Sequence, residues 1–213
     1  MTVEIKSITA ANGGAQVRLS LEMRDGEHVQ RQALTLLTCQ YAAIRPQKGE
    51  ISQQTYERIA RQAQICEAVM RGMGMLGYGA CSEKGLARKL QSRGYESGVA
   101  KAAAAYLVRN GYICEESDAE REAERCVKKL WGRNRIASFL LEKGYAQEAV
   151  SAAIDGIPDS VLQENCVAAA RKRFASMPQT PAEKKKAYDA LSRLGFSSAQ
   201  IRTALSRLAE EEE

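Results

Sequence analysis

The residues whose types and spacing could do chemistry are clusters of lysine and arginine in the second half of the chain. Guanidinium and ammonium groups bind phosphates and carboxylates, so segregated clusters favour a polyanionic partner. The alternative is that each cluster is a solvated face whose cations also favour helix C-termini. The candidate binding residues are Lys128, Lys129, Arg133, Arg135, Arg171, Lys172, Arg173, Lys184, Lys185 and Lys186.

The distribution of charge supports a basic surface more strongly than the formal net charge of +5 does. Residues 162–208 carry nine Lys or Arg and three Asp or Glu, and residues 63–112 carry seven and three. Residues 113–161 carry seven basic and ten acidic residues, and most of these acids lie in residues 115–124. Residues 210–213 form an acidic tail that cancels part of the positive charge.

The sequence does not offer the set of titratable residues that a catalytic site requires. The only histidine is His28, in a predicted strand, so no Ser/His/Asp set can form around it. Gly72, Gly74, Gly77 and Gly79 end a helix without the strand or the Gly-Lys-Ser/Thr of a phosphate loop, and we interpret them as a hinge. We therefore expect no enzyme and no cofactor.

The six cysteines are scattered without a Cys-x-x-Cys pair, which argues against a zinc site. We interpret them as small hydrophobic residues of the core. The N-terminus has no signal-peptide pattern, and no segment approaches the ~20 apolar residues of a membrane span. We expect a reduced, cytoplasmic protein that does not enter a membrane.

The elements that must position the basic clusters come from a repeat. The phrase Leu-x-x-x-Gly-aromatic occurs three times, with its glycines at Gly94, Gly144 and Gly195. Each glycine can take the left-handed conformation that ends a helix, and a further helix follows within a few residues. A period of about 50 residues is typical of stacked helical modules.

The first third of the chain differs. Val17, Leu19, Leu21 and Met23 alternate with polar residues, which predicts a half-buried strand within a three-stranded meander over residues 2–31. Helical character is expected from Arg31 onwards, with a second helix behind Ser52.

Three further helix starts carry capping boxes. Their N-caps are Ser117, Thr180 and Ser197, each with Glu or Gln three residues later. Trp131 is either a core anchor at the end of an apolar stripe or a platform for a nucleic-acid base.

The predicted fold is mainly α: three tandem three-helix repeats in an elongated, curved array, preceded by a small N-terminal β-meander and helices. The expected parts are residues 1–62 (meander and helices), 63–112, 113–161 and 162–208 (repeats), and 209–213 (acidic tail).

An ordered set of motifs resembles the bacterial RecX family of recombination regulators. Leu107-Val108-Arg109-Asn110-Gly111-Tyr112-Ile113 resembles the end of the family's first repeat. Gly132 through Tyr145 resembles its Gly-x-x-x-Ile…Leu-x-x-x-Gly segment, and Ala170 through Phe196 resembles its third repeat. The chain departs from the family at Cys114-Glu115-Glu116, where paired aspartates are usual, and at Arg193-Leu194-Gly195-Phe196, which has one basic residue fewer.

The resemblance implies a regulator of DNA recombination, repair and the SOS response that lies along the RecA filament. It would bridge protomers and restrain filament growth, ATP hydrolysis and strand exchange. The implied partners are the RecA filament and single-stranded DNA, with duplex DNA as a further candidate, and the protein would act as a monomer. We expect the clusters at residues 128–135 and 171–173 to line the concave side of the array.

Two other functions stay open from the residues alone. The chain could be a helical-repeat DNA-binding module that needs no protein partner. It could also be an adaptor for an unrelated protein, with no affinity for DNA at moderate salt.

Overall fold

The computed structural model describes residues 2–174 and 180–211, and it begins with a four-stranded antiparallel sheet of order β3-β2-β1-β4. The sequence indicates a proline-containing turn at Pro178, between the clusters 171–173 and 184–186. That turn and the last two residues of the acidic tail lie outside the described residues. The strands are β1 (Thr2–Ala11), β2 (Gln16–Asp25), β3 (His28–Leu37) and β4 (Gly49–Ile51).

The helices make the protein mainly α, as predicted, and the first of them lies between β3 and β4. They are α1 (Thr38–Ile44), α2 (Gln53–Leu76), α3 (Glu83–Gln91), α4 (Ser97–Arg109), α5 (Glu115–Val127), α6 (Arg133–Lys143), α7 (Gln147–Asp155), α8 (Asp159–Arg173), α9 (Pro181–Arg193) and α10 (Ser198–Glu211).

The alternation in β2 behaves as predicted, because Leu19 and Leu21 are buried in the cluster between the sheet and α2. The expected helix from Arg31 is wrong. That segment is β3, which pairs with β2 without interruption to Leu37 and buries Leu36 completely. Backbone pairing with a neighbouring strand decided this segment, and such pairing leaves no local signature in a leucine-rich stretch. The fourth strand, β4, is too short to show a periodicity.

The repeat glycines adopt the predicted conformation. The φ angles of Gly94, Gly144 and Gly195 are 95°, 91° and 88°, so each takes the left-handed form that L-residues disfavour. The three repeats also share a buried position eight residues before the glycine, where Leu86, Ile136 and Ala187 are all fully buried.

Two of the three predicted capping boxes form. Thr180 accepts from the backbone N–H of Glu183, and Ser197 accepts from that of Gln200, with the reciprocal bonds present in both. The box at Ser117 is wrong, because α5 starts two residues earlier, at Glu115. The acidic residues of this earlier first turn favour the positive end of the helix dipole.

Contacts divide the chain into two compact units. One comprises Met1–Gly79 and Leu86–Tyr112, and the other comprises Ala80–Gly85 and Ile113–Glu213. The boundary expected between residues 62 and 63 falls inside α2. In the first unit Gly72 lets α2 approach α4 closely, since a Cβ there would lie 2.8 Å from Leu107 Cδ1.

The second unit contains two buried clusters that Trp131 connects. One lies among α5, α6 and α7, and the other among α8, α9 and α10; Trp131 packs against both. The expected acidic tail is partly helical, because α10 continues to Glu211.

Candidate functional site

A basic groove of about 440 Å³ lies in the second unit, where α6, the end of α8 and α9 meet. It takes one cation from the second repeat and three from the third, and none of the described residues that line it is acidic. Its floor is apolar. The residues that line this groove are Arg135, Arg173, Phe174, Lys186, Ala190, Arg193 and Leu194.

The cations of the basic groove have no acidic partner among the residues that the structure describes. Within residues 2–174 and 180–211, no carboxylate forms an ion pair with Arg135, Arg173, Lys186 or Arg193. The Arg193 Nε donates to the backbone carbonyl of Asp189 at 3.1 Å, which fixes the side chain without cancelling its charge. A concave surface with several uncompensated cations attracts anions, and its apolar floor strengthens the field.

Arg135 is held in place by Trp131. Its guanidinium carbon lies 4.1 Å from the Trp131 ring centroid, while Lys129 Nζ lies 5.5 Å from the same ring. Phe139 meets Trp131 edge-on, with centroids 5.3 Å apart and planes at 85°. Trp131 is therefore a core anchor whose ring orients a cation at the groove.

Arg133 points away from the basic groove, although it lies only two positions before Arg135. Its guanidinium donates to the carbonyl oxygens of Ile154 at 3.1 Å and Ile157 at 3.3 Å. It also pairs with Asp159 at 2.9 Å. Arg133 thus satisfies carbonyl groups at the end of α7, as cations at helix C-termini commonly do.

The other predicted residues divide between the groove and its surroundings. Arg135, Arg173 and Lys186 come together in the groove, whereas Lys128 lines a separate cleft between α5 and α7. The exposed residues outside the groove lining are Lys129, Arg171, Lys172, Lys184 and Lys185.

Four lining residues were not predicted: the cation Arg193 and the apolar residues Phe174, Ala190 and Leu194. Arg193 belongs to the repeat phrase, where its neighbours define a turn. It nevertheless follows Lys186 by seven residues, which is two helical turns, so both side chains share a face of α9. That spacing could have identified it.

A close backbone junction positions the two repeats that form the groove. Gly132 N–H donates to Leu194 O at 2.7 Å, and Asn134 N–H donates to Gly195 O at 3.1 Å. The end of α9 therefore satisfies donors at the start of α6, where no side chain acts as a cap. A Cβ on Gly132 would lie 2.4 Å from the Gly195 carbonyl carbon, so only glycine fits.

A buried carboxylate stabilises the other end of α6. Glu122, whose side chain is 8% exposed, accepts hydrogen bonds from Lys143 and Arg125, each at 2.6 Å. Burial raises the pKa of Glu122, but the bonds from Lys143 and Arg125 outweigh it and hold the pKa below its ordinary value. Lys143 Nζ also lies 4.8 Å from the Phe139 ring centroid.

Glu115, in the position where paired aspartates were expected, has a structural role. Its two carboxylate oxygens accept from the backbone N–H groups of Glu83 at 2.8 Å and Ala146 at 3.0 Å. The nearby Tyr145 hydroxyl is buried, and burial, followed by the charge of Asp118, raises its pKa. These contacts hold α5 against the segments before α3 and α7.

Among residues 2–174 and 180–211, no group of three or more His, Cys, Asp or Glu is arranged to hold a metal ion. None of the helices described combines the length and apolar character needed to cross a membrane. Cys39 and Cys114 are exposed, contrary to the expectation that all six cysteines are core residues.

Comparison with known proteins identifies relatives along most of the chain. Residues 161–205 match the family model described as RecX, third three-helix domain. The regulatory protein RecX of Stenotrophomonas maltophilia strain R551-3 is 35% identical over 137 residues, covering 64% of this chain and 83% of that protein. RecX of Xanthomonas campestris pv. campestris strain B100 is 34% identical over 137 residues, covering 64% and 84%.

Solved structures share the fold. A crystal structure of regulatory protein RecX matches with a TM-score of 0.74 at 20% identity, covering 95% of this chain and 98% of that chain. RecX from Lactobacillus salivarius matches with a TM-score of 0.59 at 21% identity, covering 68% and 97%. Since a relative 35% identical is matched over most of its length, the chain belongs to the RecX family of regulatory proteins.

Proposed function

We propose that this protein binds the RecA recombinase filament on DNA and restrains its ATP hydrolysis and strand exchange. Family membership supports a regulatory role, and the resemblance described above supplies RecA as the partner. The observation that carries the proposal is the basic groove, whose cations come from two successive repeats and have no acidic partner among the described residues. The filament joins a charged protein surface to a nucleic-acid backbone, so it offers the anionic groups that such a groove binds.

The groove predicts which cations matter most. Arg173 and Lys186 line it, are exposed, and form no ion pair within the described residues, so reversing both charges leaves the core intact. Lys172 and Lys185 are their sequence neighbours, equally exposed but outside the lining. The matched pair of double variants, R173E/K186E and K172E/K185E, therefore changes the net charge equally.

The test is the single-stranded-DNA-dependent ATPase rate of RecA from the same organism while each protein is titrated in. The parent protein should lower the ATPase rate when far less than one molecule of it is present per RecA protomer. The implied target is cytoplasmic RecA. R173E/K186E should require roughly tenfold more protein, about 1.4 kcal/mol, and K172E/K185E should resemble the parent. An unchanged rate with the parent would refute regulation of RecA.

A second function, a DNA-binding module without a protein partner, is favoured by the same uncompensated cations. It predicts tight binding to bare DNA, with each lost phosphate contact lowering the slope of log K against log salt by about 0.7–0.9. An unchanged ATPase rate together with groove-dependent binding to bare DNA would select this function. If the protein neither changes the ATPase rate nor binds bare DNA, the result would select an adaptor for an unrelated protein.

A further inference from the structure

A second cleft, of about 460 Å³, lies between α5, α7 and the start of α8, and its lining contains acidic side chains, which the described lining of the basic groove does not. Its floor is apolar: Ala123 and Ala153 are buried, and the hydrophobic Val161 is 39% exposed. The volume is within the range of about 300–1,000 Å³ typical of binding clefts. The remaining lining residues are Glu120, Glu124, Val127, Lys128, Gly156, Ile157 and Pro158.

The rim of this cleft is acidic along α5. Glu120 and Glu124 are four residues apart, so they project from the same face of the helix. Both are exposed, and neither forms an ion pair with a cation of residues 2–174 or 180–211. Lys128, four residues after Glu124, belongs to the same lining, so the cleft carries two carboxylates and one ammonium group. Glu120 and Glu124 are two of the ten acidic residues of residues 113–161, and neither lines the basic groove.

We infer that this cleft docks an amphipathic helix of a protein partner, one that presents an apolar face flanked by lysine or arginine. The apolar floor would receive the hydrophobic side chains of that helix, and Glu120 and Glu124 would pair with its cations. The inference does not depend on the proposed function.

The structure favours a helix over other occupants. The cleft is bordered by α5, α7 and the start of α8, with residues 156–158 between the last two, so an extended peptide has no strand edge with which to pair. Nucleic acid is disfavoured because the phosphates would face Glu120 and Glu124. Docking through side chains, with apolar residues spaced along one face, is the mode that remains.

The probe is a fluorescent synthetic amphipathic helix of about 14 residues, with leucines on one face and flanking lysines. It is titrated with the full-length parent protein. The E120Q/E124Q double variant should weaken binding by about two- to thirtyfold, since exposed ion pairs contribute about 0.2–1 kcal/mol each. Val161→Ser, at a partly exposed position where folding is preserved, should weaken binding by about fivefold through lost apolar contact.

The controls separate the cleft from general electrostatics. E148Q/E210Q removes the same charge at two exposed positions outside the cleft and should leave affinity within about twofold. Amide NMR shifts on titration should centre on Ala123, Ala153 and Val161. The inference is overturned if the parent does not bind the lysine peptide, if E120Q/E124Q matches E148Q/E210Q, or if a peptide with glutamate in place of lysine binds equally well. Cleft-dependent self-association in sedimentation would also overturn it, by identifying a second copy as the occupant.

Discussion

Replacing Gly195 by alanine tests whether the close backbone junction joins the second and third repeats. Gly195 has a φ of 88°, and an added Cβ would lie 2.3 Å from Arg135 N and 2.6 Å from Arg135 Cβ. These neighbours are backbone and the root of a side chain, so they cannot rotate away. The end of α9 must therefore separate from the start of α6.

The expected cost has two parts. An L-residue in the left-handed conformation costs about 1–2 kcal/mol. Separation breaks the hydrogen bonds from Gly132 N–H to Leu194 O and from Asn134 N–H to Gly195 O, at about 0.5–1.5 kcal/mol each. Gly195→Ala should therefore lower the free energy of unfolding by about 2–5 kcal/mol. The backbone strain and the lost hydrogen bonds occur at the same place, so the two costs are not fully additive and their sum is an upper bound.

Substitutions at two other glycines separate the cost of the left-handed conformation from the cost of the broken junction. Gly144 has a similar φ of 91°, but its Cβ would meet Lys84 Cβ and Ser82 Oγ at 3.1 Å, so Gly144→Ala should cost about 1–2 kcal/mol. Gly132 does not have a positive φ, and its Cβ would lie 2.4 Å from the Gly195 carbonyl carbon. Gly132→Ala should therefore report the broken junction alone, about 1–3 kcal/mol.

The assay is urea denaturation followed by tryptophan fluorescence. The chain has a single tryptophan, Trp131, and it packs against both clusters that the junction connects. Arg135 should also move, so Gly195→Ala should weaken binding at the basic groove, whereas Gly144→Ala should not. Equal stability of the Gly195→Ala and Gly144→Ala variants, within about 0.5 kcal/mol, would refute the junction as the source of the cost.

Three further predictions concern single side chains. Arg133→Ala should lower the free energy of unfolding by about 1.5–3 kcal/mol through its lost carbonyl bonds, and an unchanged urea midpoint would contradict this. The pKa of Glu122 is lowered in the folded state, so its stabilisation is present above about pH 4.3 and is lost as the pH falls through the lowered pKa. Stability below pH 5 should accordingly fall less steeply for Glu122→Gln than for the parent, and parallel pH profiles from urea titrations would refute this. Burial raises the pKa of the Cys66 thiol to about 11, so a thiol reagent should label exposed Cys39 first and Cys66 only on unfolding; mass spectrometry of timed samples checks the order.

Much of the fold could be predicted because its signals are local. The left-handed glycines, the caps at Thr180 and Ser197, and the alternation in β2 each involve residues within a few positions of one another. The predictions failed where distant pairing decided the outcome. The segment after Arg31 became β3 because β2 lies beside it, although leucine and alanine also suit a helix.

The basic groove was predicted only in part. The composition of the clusters identified Arg135, Arg173 and Lys186, but Arg133 was grouped with them because it is near in sequence. Residues two apart on a helix face different directions, so Arg133 and Arg135 could not both face one groove. Which of them did so depended on where α7 ended.

The sequence by itself determined the repeat, most helix ends and the abundance of cations, because turn chemistry and charge are properties of neighbouring residues. Only the tertiary structure decided which cations converge. Arg135 and Arg193 line the same groove, beside a junction at which Gly132 and Gly195 lie in contact. The members of each pair are some sixty positions apart in the chain. Convergence of that kind depends on how helices pack against one another, and packing is fixed by the whole core rather than by any local pattern.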